Sequence, residues 1–583
     1  MSDHYQKRAR KRTAILAFFS LLWVGGLLLR LVQLQVINHP RLKAEVLEQN
    51  QNIRKIVPKR GTIYDRNGKI LARSLPVQSV FYTPLTGETW QNQIGKIHRL
   101  QKVLNLSDRE LERIKKSTEK KDRFIWIKRK IDSQRAERVK ALSLGGVFFQ
   151  EENKRYYPQG SRAAHILGGV SIDDKGLSGV EYQYNSELEG KIGKSLIQRD
   201  AKKREYHLEI LERAEPGKDL VLTIDETIQY IAERELEKAI LNHNANWGTV
   251  IISNPLNGEI LALANYPTYN PNSYPPSPDE EINRGIHYNF EPGSTFKIVT
   301  ASAAMEKELF DLTDTFDCSE GVIFIGRRSV RDHKPFGILS FPEVFIHSSN
   351  VGAIQIGQRI GEDSLYQAIK SFRFGEKTEI DLPGEENGIF HPLASWTKSS
   401  LPSLSIGYEI SVTAIQMLQT INVIANKGLM TNPRVVKETV DSPLKIKERP
   451  SPPKRVIPEN KASELIHILE RVVEEGTGLD AQIPGYEIAG KTGTAQKFDP
   501  SLGGYSSSRH LASFVGFVPT DKPAFSMIVV IDEPKNGLHY GGDVAAPVFR
   551  EIARRALFYL RVPPQKNPLK AIITAKVWRE SKR

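Results

Sequence analysis

An uncharged, apolar run from Thr13 to Leu29, resumed after Arg30 by Leu31-Val32-Gln33-Leu34-Gln35-Val36-Ile37, restricts this chain more than any other stretch of it. A helix rises about 1.5 Å per residue, so residues 13–37 can cross a hydrocarbon core of roughly 30 Å. Lys7, Arg8, Arg10, Lys11 and Arg12 precede the run, and a basic flank of this kind stays on the cytoplasmic side. The expected topology is a cytoplasmic tail over 1–12, a transmembrane helix over 13–37 and everything after about Asn38 beyond the membrane. A cleaved signal peptide would need a small-residue cleavage site, and Leu27 to Ile37 offers no A-x-A-like triplet. Cytosolic and nucleic-acid roles fit this topology poorly.

A chain of 583 residues is too long for one hydrophobic core, and roughly 100–200 residues per domain suggests several domains. Its 82 Lys and Arg against 68 Asp and Glu give a net charge of +14, which favours an anionic partner such as lipid or an acidic polymer without choosing between them. With Cys318 as its single cysteine the chain forms no internal disulfide and no Cys-rich metal site. Cys318 reads as a structural thiol, because no basic cluster surrounds it in sequence.

Asn67-Gly68, between two β-rich flanks in Arg60-Gly61-Thr62-Ile63-Tyr64-Asp65-Arg66-Asn67-Gly68-Lys69-Ile70, predicts a two-residue hairpin. From Leu106 to Leu142 the pattern predicts charged helix, with Lys115, Lys116, Lys120, Lys121, Lys128, Arg129 and Lys130 on a solvated face. Gly176-Leu177-Ser178-Gly179-Val180-Glu181 suggests a structured junction. The turn Glu215-Pro216-Gly217-Lys218 marks the main domain boundary, before a strand at Leu220–Ile224 and a helix capped by Asp225. A second hairpin is expected around Asn254-Pro255-Leu256-Asn257-Gly258, and neighbouring buried strands at Ala512–Val518 and Ala524–Ile531. A helix from about Ala545 to Leu560 and a basic tail over 563–583 complete a mixed α/β (α+β) chain with an antiparallel sheet.

The chemistry centres on Glu291-Pro292-Gly293-Ser294-Thr295-Phe296-Lys297-Ile298-Val299. A Pro-Gly breaker ahead of an apolar helical run sets Ser294 at a helix start, and the i, i+3 spacing puts Lys297 on the same face. A partly desolvated lysine can have its pKa lowered enough to take the serine's proton, and free N–H groups at the helix start can stabilise an oxyanion. Ser-x-x-Lys recurs at Ser117, Ser395, Ser442 and Ser451, so the tetrapeptide alone carries little. Two of those are followed by proline and Ser117 lies in a charged run; only Ser294 opens an apolar helix behind Pro-Gly. Ser348-Ser349-Asn350 and then Lys491-Thr492-Gly493-Thr494 follow in order, the trio of penicillin-interactive serine enzymes. Ser348 can relay a proton to a leaving amine, and Asn350 can hold a substrate amide. Lys491 with Thr492 and Thr494 can bind a terminal carboxylate, while Gly493 lets the strand approach the substrate backbone.

On these motifs the sequence resembles the class B penicillin-binding proteins over nearly its whole length. Arg60-Gly61, Asp65-Arg66-Asn67-Gly68 and Gly179-Val180-Glu181 match the pedestal of that family, and Ser348-Ser349-Asn350-Val351-Gly352 with Tyr540-Gly541-Gly542-Asp543-Val544 resemble its division-type (FtsI-like) branch. The resemblance implies a pedestal of the dimerisation type over 38–215 and a transpeptidase domain over 216–562, built on a five-stranded antiparallel sheet between helices. It implies a D,D-transpeptidase in which Ser294 attacks the D-Ala-D-Ala carbonyl of a stem peptide, D-Ala leaves, and an amine of a neighbouring stem resolves the acyl-enzyme. β-Lactams would acylate Ser294, and the oxyanion would be held by the backbone N–H of Ser294 and Thr494. The implied partners are peptidoglycan stem peptides, an FtsW-type glycan polymerase and other divisome proteins. Arg30, Gln33 and Gln35 are candidates for the polymerase contact, and interfacial snorkelling accounts for them equally.

Three rivals remain at this level: a rod-elongation transpeptidase, a serine hydrolase such as a β-lactamase or D,D-carboxypeptidase, and a non-catalytic scaffold or β-lactam sensor. No Glu-x-x-Leu-Asn element suitable for deacylation lies between Ser348 and Lys491, which favours aminolysis over hydrolysis. No metal or organic cofactor is expected, for the sequence holds neither a His-Glu-x-x-His helix nor a Gly-rich phosphate loop. His510 and His539 read as structural or surface residues.

Overall fold

The computed structural model describes residues 2–42, 51–85, 90–120, 122, 124–199, 205–326, 328–440, 452–501 and 503–566. Two compact units are present, one of residues 1–59 with 190–216 and one of residues 60–189 with 217–583. In the first, the helix Ser2–Val32 runs on into a π-helical turn, Gln33–Ile37. Ile15, Leu16, Phe18, Phe19, Leu21 and Trp23 are all more than half exposed, as an apolar helix is when lipid rather than protein covers it. Among the described residues this is the one helix long and apolar enough to cross a membrane. The Arg30 guanidinium donates to Gln33 Oε1 at 2.7 Å, so two of the polar groups in the stretch satisfy each other. The strands Gln51–Ile56, Gly193–Arg199 and Glu205–Glu212 pair antiparallel in that order to complete the unit.

The second unit is built on a five-stranded antiparallel sheet, in the order Ile260–Tyr266, Trp247–Ser253, Phe525–Asp532, Gly504–Val518, Ala489–Asp499. Its strands read as unbroken apolar runs because both faces are covered. Alternation along each strand sends successive side chains into two separate cores. Val250, Ile252, Phe514 and Val529 pack with the helices Glu226–His243 and Gly541–Tyr559, while Ile251, Val515 and Ile528 pack with Lys297–Glu306 and Ala414–Ala425. The expected hairpin lies between the first two strands, and Gly258 at φ +74° sits where a Cβ would fall 2.0 Å from the Asn432 carbonyl oxygen. Asp225 caps its helix, accepting from the N–H groups of Thr227 and Ile228.

A second sheet carries Ile63–Tyr64 and Ile70–Tyr82 as the hairpin around Asn67-Gly68, flanked by Asp219–Leu222, Val436–Val440 and Ile125–Ile131, with Val147–Tyr156 also on the long strand. Here one expectation fails. The stretch from Leu106 to Leu142 is not continuous helix, because Ile125–Ile131 is a strand between the helices Asp108–Glu119 and Ser133–Ala141. Ile125, Ile127 and Ile131 are buried beneath those helices, and their two-residue spacing decides the local structure against the density of charge. Nor are Lys128, Arg129 and Lys130 a solvated face: they form ion pairs with Glu110, Glu152 and Asp174.

Glu181, read only as part of a junction, is fully buried. Its carboxylate accepts from Arg60 Nε at 2.7 Å, Arg155 Nε at 2.6 Å and the Tyr157 hydroxyl at 3.3 Å. Removing one member of a buried ion cluster leaves the others charged without a partner, which costs about 3–5 kcal/mol. A Glu181→Gln chain is therefore expected to unfold at markedly lower denaturant concentration, whereas Glu189→Gln, on an exposed side chain nearby, leaves the midpoint in place.

Candidate active site

The Pro292-Gly293 breaker produces a 3-10 turn, Gly293–Phe296, that runs directly into the helix Lys297–Glu306. Gly293 takes a left-handed backbone, φ +54°, and its N–H donates to the Gly407 carbonyl at 3.0 Å. The turn lies against the Ala489–Asp499 strand, for a Cβ on Gly493 would fall 2.8 Å from Thr295 Cγ2 and 3.1 Å from the Pro292 carbonyl oxygen. Gly493 thus lets the strand approach the turn bearing Ser294, which is half-buried. The close approach at Gly493 is thus to the protein's own turn.

The other expected residues converge. Lys297 Nζ donates to the Ser348 carbonyl at 2.7 Å and to Asn350 Oδ1 at 2.8 Å, and lies 3.4 Å from Ser348 Oγ. Lys491 Nζ reaches the same Ser348 hydroxyl at 2.9 Å. Ser348 holds this bridging position with a left-handed backbone, φ +59°, a conformation that costs a non-glycine residue about 1 kcal/mol or more and persists only where surrounding contacts enforce it. Strand alternation puts Thr492 and Thr494 on the face away from Lys491. There Thr492 shares a 2.6 Å hydrogen bond with the Thr477 hydroxyl, and Thr494 Oγ1 accepts from Gly541 N–H at 2.9 Å. Both threonine hydroxyls are held by neighbours that no short pattern in the sequence announces.

Two fully buried ammonium groups around one hydroxyl shape the electrostatics. Burial drives Lys297 down to about 7, against an upward pull from the Asp332 carboxylate and Cys318. Lys491 is also pushed well below its ordinary value, by burial and then by Lys297 itself. A proton on either lysine disfavours one on the other, so the pair titrates as a coupled unit. Near neutral pH, a neutral amine is therefore available against the Ser348 hydroxyl, one helical turn along from Ser294.

Asp332 is the residue that sequence reasoning missed. Its carboxylate accepts from Ser349 Oγ at 2.7 Å, from Val351 N–H at 3.2 Å and from Asn350 N–H, capping the helix Asn350–Ile360 and holding the Ser348-Ser349-Asn350 turn. Ser349 Oγ also lies 3.4 Å from Cys318 Sγ, so the lone thiol packs beneath this turn. An Asp332→Asn chain is expected to lose about 1–2 kcal/mol through the weakened cap. Because Asp332 is an anion favouring charged Lys297, the same change lowers the Lys297 pKa further. The rising limb of the acylation pH profile is then displaced to lower pH, which stopped-flow acylation at varied pH measures. His510 and His539 stack with ring centres 4.3 Å apart; burial, then the neighbouring His539, pushes His510 down.

This geometry matches known proteins. Residues 248–554 fit the model of the penicillin-binding protein transpeptidase domain, and residues 55–222 that of the penicillin-binding protein dimerisation domain. The chain is 36% identical over 524 residues to stage V sporulation protein D of Bacillus subtilis, covering 88% of this chain and 80% of that one. It is 31% identical over 565 residues to peptidoglycan D,D-transpeptidase FtsI of Escherichia coli, covering 95% and 92%. Among solved structures, penicillin-binding protein 3 of Mycobacterium tuberculosis complexed with aztreonam superposes with a TM-score of 0.68 at 27% identity, over 88% of this chain and 99% of that one. Penicillin-binding protein 2X of Streptococcus thermophilus does so with a TM-score of 0.70 at 25% identity, over 87% and 80%.

Proposed function

The chain belongs to the class B penicillin-binding proteins, in the division-type (FtsI-like) branch, and from that premise we propose that it is a peptidoglycan D,D-transpeptidase acting through a Ser294 acyl-enzyme. The observation that carries the assignment of roles is the Ser348 hydroxyl, set between the two buried lysines Lys297 and Lys491. Neutral Lys297 takes the proton of Ser294 Oγ, which attacks the carbonyl of the penultimate D-Ala. The tetrahedral oxyanion is held by the N–H groups of Ser294 and Thr494. Collapse breaks the C–N bond, and Ser348, in contact with both lysines, passes a proton to the departing D-Ala amine. Asn350 holds the substrate amide, Thr492 and Thr494 receive the terminal carboxylate on their face of the strand that Gly493 brings close, and Lys491 acts from the other face through the Ser348 hydroxyl. An amine from a second stem then attacks the ester, forming the cross-link and returning the proton to Ser294. β-Lactams follow the first half of this course and stop there.

In this reading residues 1–12 lie in the cytoplasm, 13–37 span the inner membrane, 38–215 form the pedestal and 216–562 the catalytic domain outside, followed by a basic tail over 563–583. The partners are an FtsW-type glycan polymerase, met near Arg30, Gln33 and Gln35, and the divisome at the septum. Mass spectrometry of a proteolytic digest after penicillin treatment tests the nucleophile directly. The adduct is expected on the peptide containing Ser294, and an adduct elsewhere, or rapid turnover of the antibiotic, overturns the assignment. A fluorescent fusion gathered at mid-cell supports the septal role; one spread along the side wall assigns the protein to elongation.

A further inference from the structure

Beside the Ser294 turn lies a cavity of about 560 Å³ for which the steps above have no use. Its floor is made by two segments that run back to the nucleophile. Phe290 pairs antiparallel with Val412, and Gly293 N–H donates to Gly407, so the Gly407–Val412 segment lies along the residues leading into Ser294. A bridge between Ile389 and Ser411 attaches the third wall, which carries Phe390 and Trp396. Tyr408, in that segment, accepts at its hydroxyl from the N–H of Gln496 on the catalytic strand at 3.4 Å.

Although the chain carries a net charge of +14, the lining of this cavity holds two carboxylates, Glu291 and Glu409, against one imidazole, His391, and no lysine or arginine among the described residues. The Glu291 carboxylate is fixed by the Tyr505 hydroxyl at 2.9 Å and by Glu409 N–H at 3.0 Å. Phe390 and Trp396 line the same cavity and meet edge to face, 6.2 Å apart, together with the buried side chains of Leu404 and Ile410. Two carboxylates, two aromatic rings and two aliphatic side chains in one cavity suit an alkyl ammonium group, whose charge is attracted by carboxylate and ring face and whose methylene stem fits the apolar surface.

We propose that this cavity is the acceptor subsite: it takes the amine-bearing side chain of the second stem peptide and delivers it to the Ser294 ester. The inference rests on the transpeptidase reading and deepens it. The acceptor docks as an ammonium ion held by Glu291 and Glu409. As it moves past Tyr408 to the ester, one proton goes to solvent. The amine nitrogen then forms the new C–N bond, the C–O bond to Ser294 Oγ breaks, a second proton passes to Ser294 Oγ and the third stays on the amide nitrogen. The donor's D-Ala terminus uses the first half of the strand, at Thr492 and Thr494, so the two peptides approach from different sides.

The test uses the full-length protein in detergent with a D-Ala-D-Ala pentapeptide donor and an amine-bearing tetrapeptide acceptor, and measures the ratio of aminolysis to hydrolysis. Both products arise from one acyl-enzyme, so any change in acylation cancels from the ratio. Glu409→Gln and Trp396→Leu are each expected to lower the ratio about tenfold and to raise the acceptor KM by a similar factor. Glu409→Asp, which keeps the charge, should retain most of the ratio. An unchanged ratio, or a raised donor KM with the acceptor unaffected, overturns the assignment of the cavity. Failure of the wild-type chain to form a penicillin adduct instead overturns the transpeptidase reading on which it stands.

Discussion

A Ser294→Ala chain forms no covalent adduct with penicillin, and its acyl transfer falls by roughly 10⁴-fold or more, the scale of loss when a nucleophilic serine is removed from a preorganised site. The mapped penicillin peptide and intact-mass measurement check the adduct, and complementation of a conditional strain checks the role in the cell. Loss of labelling together with loss of growth is the expected pair. Labelling lost with growth intact would favour the scaffold reading over the enzyme. The alanine costs the fold little, since Ser294 is half-buried at a turn held by Gly293 N–H and by the buried Phe296.

The second large effect is on pH. Burial lowers Lys297 to about 7, so acylation should rise with pH through that region and level off above it. The sign follows from the role: below about pH 7 the ammonium form has no lone pair to receive the Ser294 proton, and above it the neutral amine does. Lys297→Arg keeps a cation at every accessible pH, and is expected to cut acylation by about 10²–10⁴-fold without recovery on the alkaline side. A profile that is flat between pH 6 and 8 in the wild-type chain would show that another group takes the proton. Stability moves in the same direction. The folded chain binds fewer protons at Lys297 than the unfolded chain does between about pH 7 and the ordinary lysine value, so this residue's unfavourable contribution shrinks as pH rises through that window.

Much of the site is legible in sequence because its elements obey local rules. Pro292-Gly293 before an apolar run makes a turn and a helix wherever it occurs, and Asn67-Gly68 or Asn257-Gly258 between apolar flanks makes a hairpin. The places that read wrongly or went unread depend on distant residues. Ile125–Ile131 looks helical while its charges are counted along the chain; it becomes a strand because it pairs with Gln78–Tyr82 and covers a core with Ile97 and Leu100. Asp332 has no motif of its own, and gains its role only when the chain returns Ser349, Asn350 and Val351 to its carboxylate. Glu181 sits in a glycine-rich stretch that looks like a loop until Arg60 and Arg155 arrive from other parts of the chain.

By itself the sequence determined the membrane-spanning helix, the mixed α/β character and the three motifs that hold Ser294, Lys297, Ser348, Asn350 and Lys491. These follow from hydropathy, turn chemistry and short-range spacing, which act within a few residues. The tertiary structure alone decided that one hydroxyl, Ser348 Oγ, would lie against both lysines, and that both would be buried deeply enough to fall below their ordinary pKa. It also decided that a cavity carrying Glu291 and Glu409 would open along the segment that leads into Ser294. Desolvation and charge proximity act through space, so their effects exist only once segments far apart in the chain have packed together.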